Sequence, residues 1–200
     1  MIEIKNLSIA FDGEPVIKGL SYGIQDGAKV AIIGASGSGK TSLVRALLGL
    51  IQPIAGEIVG VPKYRGVVFQ EDRLIEDWSA YKNVELVCDL ESDVYAIVDQ
   101  LTALGIEEPM HKRVREYSGG MRRRVALVRA LINSPDLIIL DEPFKGLDEQ
   151  TRARAAEYVL QHKKSATLII VTHDMDELKL LGVEDVIEIP QMPVKSNGGV

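Results

Sequence analysis

The stretch KVAIIGASGSGKT, residues 29–41, decides the fold class. Its first half, Lys29-Val30-Ala31-Ile32-Ile33, is short and mostly β-branched, the composition of a strand buried on both faces. Its second half, Gly34-Ala35-Ser36-Gly37-Ser38-Gly39-Lys40-Thr41, fits G-x-x-x-x-G-K-[ST] at every fixed position. Beyond it Leu43, Ala46, Leu47 and Leu50 recur at helical spacing, so residues 39–50 read as a helix whose end Gly49 weakens. Strand, glycine-rich loop and helix in this order let backbone N–H groups converge on one point, beside the partial positive charge of a helix N-terminus. Phosphate oxygens suit such a loop. Lys40 can reach the outer phosphates of a nucleoside triphosphate, and the Thr41 hydroxyl can meet Mg²⁺.

Working outward, Ile2, Ile4, Leu7 and Ile9 are spaced roughly as one face of a strand, and residues 16–24 give a second strand that ends at the Asp26-Gly27 turn. Residues 67–69 form another short strand. The character changes over residues 71–133: residues 93–104 and 120–132 carry helical patterns with no strong strand between them. Leu137-Ile138-Ile139-Leu140 and residues 167–171 (TLIIV) are again buried-strand runs, separated by a polar helix at about residues 149–162; residues 185–189 make a last weak strand. Strands alternating with helices imply a parallel sheet with crossovers. The expected fold is therefore α/β. It has a mostly parallel sheet in the core, an N-terminal antiparallel β subdomain and an inserted helical subdomain. One domain spans 1–200, with the core and β subdomain at 1–70 and about 134–190, the helical part at about 71–133 and a tail at 191–200. The Gly/Asn/Ser-rich end, residues 195–200, is expected to fray.

Composition narrows the class. A chain of 200 residues, 46% hydrophobic and 26% charged, can bury a sizeable core as a soluble protein. A net charge of −6 argues against coating nucleic acid. A single cysteine, Cys88, excludes an intrachain disulfide and fits a reducing compartment with a buried structural thiol. The N-terminus lacks the basic-then-apolar order of a signal peptide, and no apolar run nears the roughly 20 residues that span a bilayer. Any membrane role would run through a partner.

A second site follows from Asp141-Glu142 at the C-terminal end of the LIIL run, where ligands bind in open α/β sheets. Asp141 suits a Mg²⁺ contact, direct or through water, and Glu142, one residue on, can polarise an attacking water. Thr172-His173-Asp174 ends the neighbouring buried run, so His173 could face a γ-phosphate. His111 and His162 lack such a setting and are expected on solvated surface.

Tyr117-Ser118-Gly119-Gly120-Met121, followed by RRRVALVRAL at residues 122–131, resembles the Leu-Ser-Gly-Gly-Gln signature and following helix of ATP-binding cassette proteins. The order phosphate loop, Gln70, signature, Asp-Glu, His is similar to that family from Ile2 to about Ile189. The resemblance implies an ATPase that binds ATP and Mg²⁺ and works as a head-to-tail dimer. ATP would lie on residues 34–42 (Gly34, Ala35, Ser36, Gly37, Ser38, Gly39, Lys40, Thr41, Ser42) with Phe11 stacked on adenine. Thr41, Gln70 and Asp141 would hold the metal, and Glu142, His173, Lys40 and Gln70 would serve catalysis. Ser118, Gly119, Gly120 and Met121 would meet the γ-phosphate bound by a second copy, and Asp148 in Gly146-Leu147-Asp148 would carry communication between the copies.

Residues 69–74 (FQEDRL) and 141–144 (DEPF) look like ATPase subunits of bacterial importers for nitrate, sulfonate, taurine and related solutes. That implies integral membrane permease subunits as partners, a solute-binding protein through the permease, no nucleic acid, and a cytoplasmic place on the inner face of the cell membrane. Trp78 and Tyr81 would line the docking groove or pack in the core. Tyr117 and Met121 replace the usual Leu and Gln, Thr41-Ser42 reverses the commoner Ser-Thr order, and Arg123 stands where many relatives carry Gln. Little follows Ile189, so no C-terminal regulatory domain is expected. A soluble cassette ATPase of translation or DNA repair, and a P-loop kinase or other NTPase, are the alternative readings.

Overall fold

The computed structural model describes residues 1–11, 13–88 and 94–191, with the side chains at 94, 108 and 109 left aside. The expected fraying of residues 195–200 lies outside the described residues. The β-branched runs pair as expected: β3 (Lys29–Ile33), β6 (Leu137–Asp141) and β7 (Thr167–Val171) lie inside a five-stranded sheet of order β5-β6-β7-β3-β8, with β5 (Arg65–Val68) and β8 (Asp185–Glu188) at its edges. Every pairing in it is parallel. All five residues of β6 and all five of β7 are buried, as strands covered on both faces must be.

Because side chains alternate across a strand, this sheet divides two cores. Ala31, Ile138, Leu140, Leu168 and Ile170 face one, with the helices of residues 80–131 and α5 (Glu149–Lys163). Val30, Ile32, Leu137, Ile139, Ile169 and Val171 face the other, with α1 (Lys40–Leu47) and a second sheet. Fully burying one such side chain contributes about 1.5–3 kcal/mol.

The second sheet is antiparallel, of order β2-β1-β4, with β1 at Ile2–Phe11, β2 at Glu14–Ile24 and β4 at Ala55–Val59. Ile2, Ile4, Leu7 and Ile9 are all buried although the spacing changes parity between Ile4 and Leu7. The register of β1 on β2 shifts at that step, and Asn6 there takes φ 47. An irregularity of one residue re-aims the following side chains, which keeps both pairs facing the core. The sequence pattern did not show β4: Ala55, Gly56 and Glu57 are exposed, and only pairing with β1 makes them a strand.

The segment after β5 is helical, as expected, but among the described residues it holds one α-helix and two short 3-10 turns more than periodicity showed. Besides α3 (Val94–Ala103) and α4 (Gly119–Leu131) there is α2 (Ala80–Glu85), too short for an apolar stripe. The Ser79 hydroxyl caps it, accepting from the Lys82 N–H. Fully buried Asn83 accepts from the Ile75 N–H and donates to the Ile75 and Ser79 carbonyls, which fixes the chain entering α2. A further short helix, α6 (Met175–Leu181), follows β7, capped by Asp174 and ended by Gly182 in the left-handed region. No described helix is long and apolar enough to cross a membrane.

Some side chains fall elsewhere than expected. His162 is half-buried, stacked on Tyr158 at 4.0 Å between ring centroids, whereas His111 is exposed. Cys88 is half-buried, its thiol donating to the Val84 carbonyl. Tyr81 packs half-buried against the helical core, while Trp78 remains exposed.

β5 and α4 approach closely at Gly66. A Cβ there would lie 2.0 Å from the Ala130 carbonyl oxygen and 2.9 Å from Pro135 Cγ. Gly66→Ala must therefore push β5 away from α4, and we expect a loss of about 3 kcal/mol in urea unfolding. An unchanged midpoint and slope would show that β5 and α4 do not approach this closely.

Candidate functional site

Parallel pairing puts the ends of four strands on one edge. Val68 pairs with Leu140, Asp141 with Val171, and Ile32 with Val171. The 34–41 loop, Gln70, Asp141-Glu142 and Thr172-His173 therefore leave the sheet side by side, where open α/β sheets bind ligands. A groove of about 340 Å³ opens there, lined by Phe11, Ser36, Gly37, Gly39, Lys40, Thr41, Ser42, Gln70, Asp141 and Glu142 among others. Gly34, Ala35, Ser38 and His173 do not line it.

The loop's fold follows from its glycines. A Cβ on Gly34 would lie 2.6 Å from both the Ile189 carbonyl and Ser38 Oγ, so the backbone turns where only glycine fits. Gly39, at φ 103, begins α1 without a side-chain cap. The first N–H groups of α1 are thus left for an anion. Lys40 Nζ donates to the Gly34 and Ala35 carbonyls of its own loop, 2.8 Å each. Ser38 Oγ is buried and has no hydrogen-bond partner. A curled lysine and open helix N–H groups form a donor set that phosphate oxygens would complete.

The acidic pair faces this loop. Thr41 Oγ1 lies 3.5 Å from Asp141 Oδ2, a loose contact in which a hydroxyl and a carboxylate share one space. Burial pushes the Asp141 carboxyl above its ordinary range, the Glu142 charge pushes it further, and Thr41, Arg123 and Lys40 only partly offset this. A carboxylate in that condition gains from a cation, and Thr41, Gln70 and Asp141 offer the few protein oxygens that Mg²⁺ takes beside phosphates and water.

Glu142 sits at φ 49, a backbone that costs about 1 kcal/mol or more for such a residue, and its N–H is held by the Val171 carbonyl at 2.8 Å. Burial pushes its carboxyl up. The Lys145 hydrogen bond and charge, then His173 and Lys40, outweigh that and leave it below its usual range. Lys145 Nζ donates to Glu142 Oε2 at 2.9 Å, and His173 Nδ1 lies 3.7 Å from Oε1. His173 is thus beside Glu142, as the neighbouring strand required, though its side chain is 79% exposed. Phe11 is 59% exposed on the groove wall, so its ring presents a face rather than filling a core.

Ser118 lies elsewhere. It caps α4, accepting from the Met121 N–H at 3.2 Å, and with Gly119 and Gly120 lines a separate depression shared with Lys145, Gly146 and Asp148. The two depressions have no lining residue in common. Gly120 is close to the Gly146-Leu147 turn: a Cβ there would lie 3.1 Å from Leu147 Cδ2. Asp148 caps α5, accepting from the Thr151 N–H and hydroxyl at 2.9 and 2.7 Å. Tyr117 is buried in the helical core. Reasoning from the sequence missed Lys145, because a lysine three residues past a carboxylate carries no signal without the turn that folds it back. It marked Arg123 only as a departure. The structure buries Arg123, with its guanidinium on the Phe69 and Gln70 carbonyls.

Known proteins resemble this chain in sequence and fold. The ABC transporter family model matches residues 17–145. An aliphatic sulfonates import ATP-binding protein of Pseudomonas syringae pv. syringae is 40% identical over 182 residues, covering 90% of this chain and 66% of the relative, so the chain spans about two thirds of that relative's length. A taurine import ATP-binding protein of Jannaschia sp. is 34% identical, covering 95% of this chain and 78% of its own. The dimeric structure of a bacterial ABC transporter cassette superposes with a TM-score of 0.84 at 27% identity, covering 95% of this chain and 94% of that one. A dimeric post-hydrolysis state of an ATP-binding cassette with ADP and Pi superposes with a TM-score of 0.83 at 26% identity over the full length of both chains. With a phosphate-type loop, an acidic strand end and a capped Ser-Gly-Gly helix in one order and on one fold, the chain belongs to the ABC transporter family.

Proposed function

We propose that the chain is the ATP-hydrolysing subunit of an ABC transporter, of the type that drives import of small solutes, and that two copies close head to tail on ATP. The observation that carries this reading is the split site. One groove holds Lys40, Thr41, Gln70, Asp141 and Glu142, while Ser118, Gly119 and Gly120 at the start of α4 line a different depression on the same chain. Each is half of a phosphate site. A second copy turned about a two-fold axis supplies the missing half to both, as an isologous interface requires. The dimeric cassettes that superpose on this chain support that arrangement.

In this reading Lys40 leaves the Gly34 and Ala35 carbonyls for the β- and γ-phosphates, and Phe11 stacks on adenine. Thr41, Asp141 and Gln70 would hold Mg²⁺, which when bound neutralises charge on the outer phosphates. Glu142, its charge kept by Lys145, orients and polarises the attacking water, and His173 reaches the γ-phosphate beside it. Ser118 with the N–H groups of Gly119 and Gly120 receives the γ-phosphate of the opposite copy, with Met121 N–H holding the Ser118 hydroxyl in place. Asp148, at the cap of α5 beside the Ser118 depression, lies where the copies would touch. Because ADP lacks the γ-phosphate, only ATP favours the closed pair, which is the logic of a ligand switch. The helical segment 71–133 would pass closure to integral membrane permease subunits at the inner face of the membrane. A solute-binding protein would act through the permease. The relatives' names make sulfonates the first solute class to test.

Glu142→Gln should keep ATP affinity while steady-state turnover falls by a factor of about 100 or more, read by phosphate release. Turnover near that of the unaltered chain would remove Glu142 from this role. Lys145→Ala tests the charge on the same group. Glu142 must be ionised to act, and Lys145 holds its carboxyl low. Without Lys145 the carboxyl rises, so the acid limb of the turnover profile should move to higher pH. An acid limb that stays in place means that another group sets it.

A further inference from the structure

We infer that Arg123 is a positioning residue that locks the loop bearing Gln70 to the helix capped by Ser118, so that Ser118 and Gln70 move as one body. The inference rests on the roles proposed above for those two residues. It goes beyond them by assigning the link.

Arg123 is 5% exposed, and two of its guanidinium nitrogens donate to backbone carbonyls while the third stands beside a carboxylate. Nη1 donates to the Phe69 carbonyl at 2.6 Å, Nη2 donates to the Gln70 carbonyl, and Nε lies 3.2 Å from Asp72 Oδ1. Arg129, on the same helix, extends the grip: Nη1 donates to the Arg73 carbonyl at 2.8 Å and Nη2 to the Asp72 carbonyl at 2.9 Å. Arg122 Nε stands 3.8 Å from Asp72 Oδ2. Between the end of β5 and α2, the carbonyls of residues 69, 70, 72 and 73 are therefore met by arginines of α4.

A guanidinium is suited to this task. It is planar, keeps its charge when buried, and bridges adjacent carbonyls in a fixed fork, which a lysine cannot do. At the other end, α4 begins on Ser118, five residues before Arg123, so at 1.5 Å of rise per residue the phosphate-facing cap and the clamp are about 8 Å apart along one rigid helix. A phosphate drawn onto Ser118 by the opposite copy pulls α4. Through Arg123 it also pulls the Gln70 backbone relative to the groove that Gln70 lines. The occupancy of the site in trans would thereby set the place of the Gln70 amide over the metal in cis.

The test is a double-mutant cycle in the full chain with MgATP turnover as the readout. Arg123→Ala should lower turnover at saturating ATP by about tenfold and raise the Mg²⁺ concentration for half-maximal rate, with binding of a fluorescent ATP analogue in EDTA unchanged. In a Gln70→Ala background the same change should cost less than about twofold more, because its effect acts through Gln70. Effects that multiply in full would make Arg123 a packing residue and overturn the link. A Gln70→Ala chain with unaltered turnover would instead overturn the role of Gln70 itself. Circular dichroism melting monitors folding. If Arg123→Ala does not fold, the cycle is run with Arg123→Gln, which keeps one amide donor; its smaller loss, about threefold, must likewise vanish in the Gln70→Ala background.

Discussion

Because β5, β6, β7 and β3 run parallel and in register, their C-terminal ends open on one edge of the sheet, and the chemistry depends on that alignment. No two of Lys40, Gln70, Asp141 and His173 are near in sequence. Pairing of Val68 with Leu140, and of Asp141 and Ile32 with Val171, brings the four loops together before any side-chain contact is made. The buried aliphatic runs make this pairing robust, since both faces of the central strands are sealed in separate cores. Function then sits in loops on a rigid base, where small backbone adjustments do not disturb the fold.

Two electrostatic restraints tune the loops. Asp141 and Glu142 are adjacent carboxylates with opposite shifts: burial lifts Asp141, while Lys145 holds Glu142 down. One is poised to gain from a cation, the other to remain charged against a water. The second restraint is the set of arginines on α4. They satisfy the carbonyls of a loop that makes no ladder of its own, so the segment carrying Gln70 takes its position from a helix rather than from the sheet. The same helix starts at Ser118 and nearly touches the Gly146-Leu147 turn at Gly120. Lys145 and Asp148 flank that turn. The two depressions, which share no lining residue, are thus joined by a short path of packed and bonded groups.

Much of this was legible in the sequence. Runs such as KVAII, LIIL and TLIIV have a composition that only doubly covered strands tolerate, and the phosphate-type loop is specified by glycines, a lysine and a hydroxyl at fixed spacing. What was not legible depends on contacts distant in sequence. β4 exists because β1 accepts it, and α2 and α6 are too short to show a period and are fixed by Ser79, Asn83 and Asp174. The parity change between Ile4 and Leu7 records a register shift that becomes visible only with β2 in place. His162 came out half-buried because Tyr158, one helical turn away, offers a ring to stack on. Lys145 and Arg123 gained meaning only once the turn and the helix had been folded around Glu142 and Gln70.

In the proposed dimer each chain carries two half-sites, which only a second copy completes. Sedimentation of the Glu142→Gln chain, with and without ATP and Mg²⁺, tests it most directly. The expected result is a monomer without nucleotide, a dimer with ATP, and a monomer in both conditions once Ser118→Arg is added. A chain that binds ATP yet stays monomeric, or a dimer that Ser118→Arg leaves intact, would contradict it.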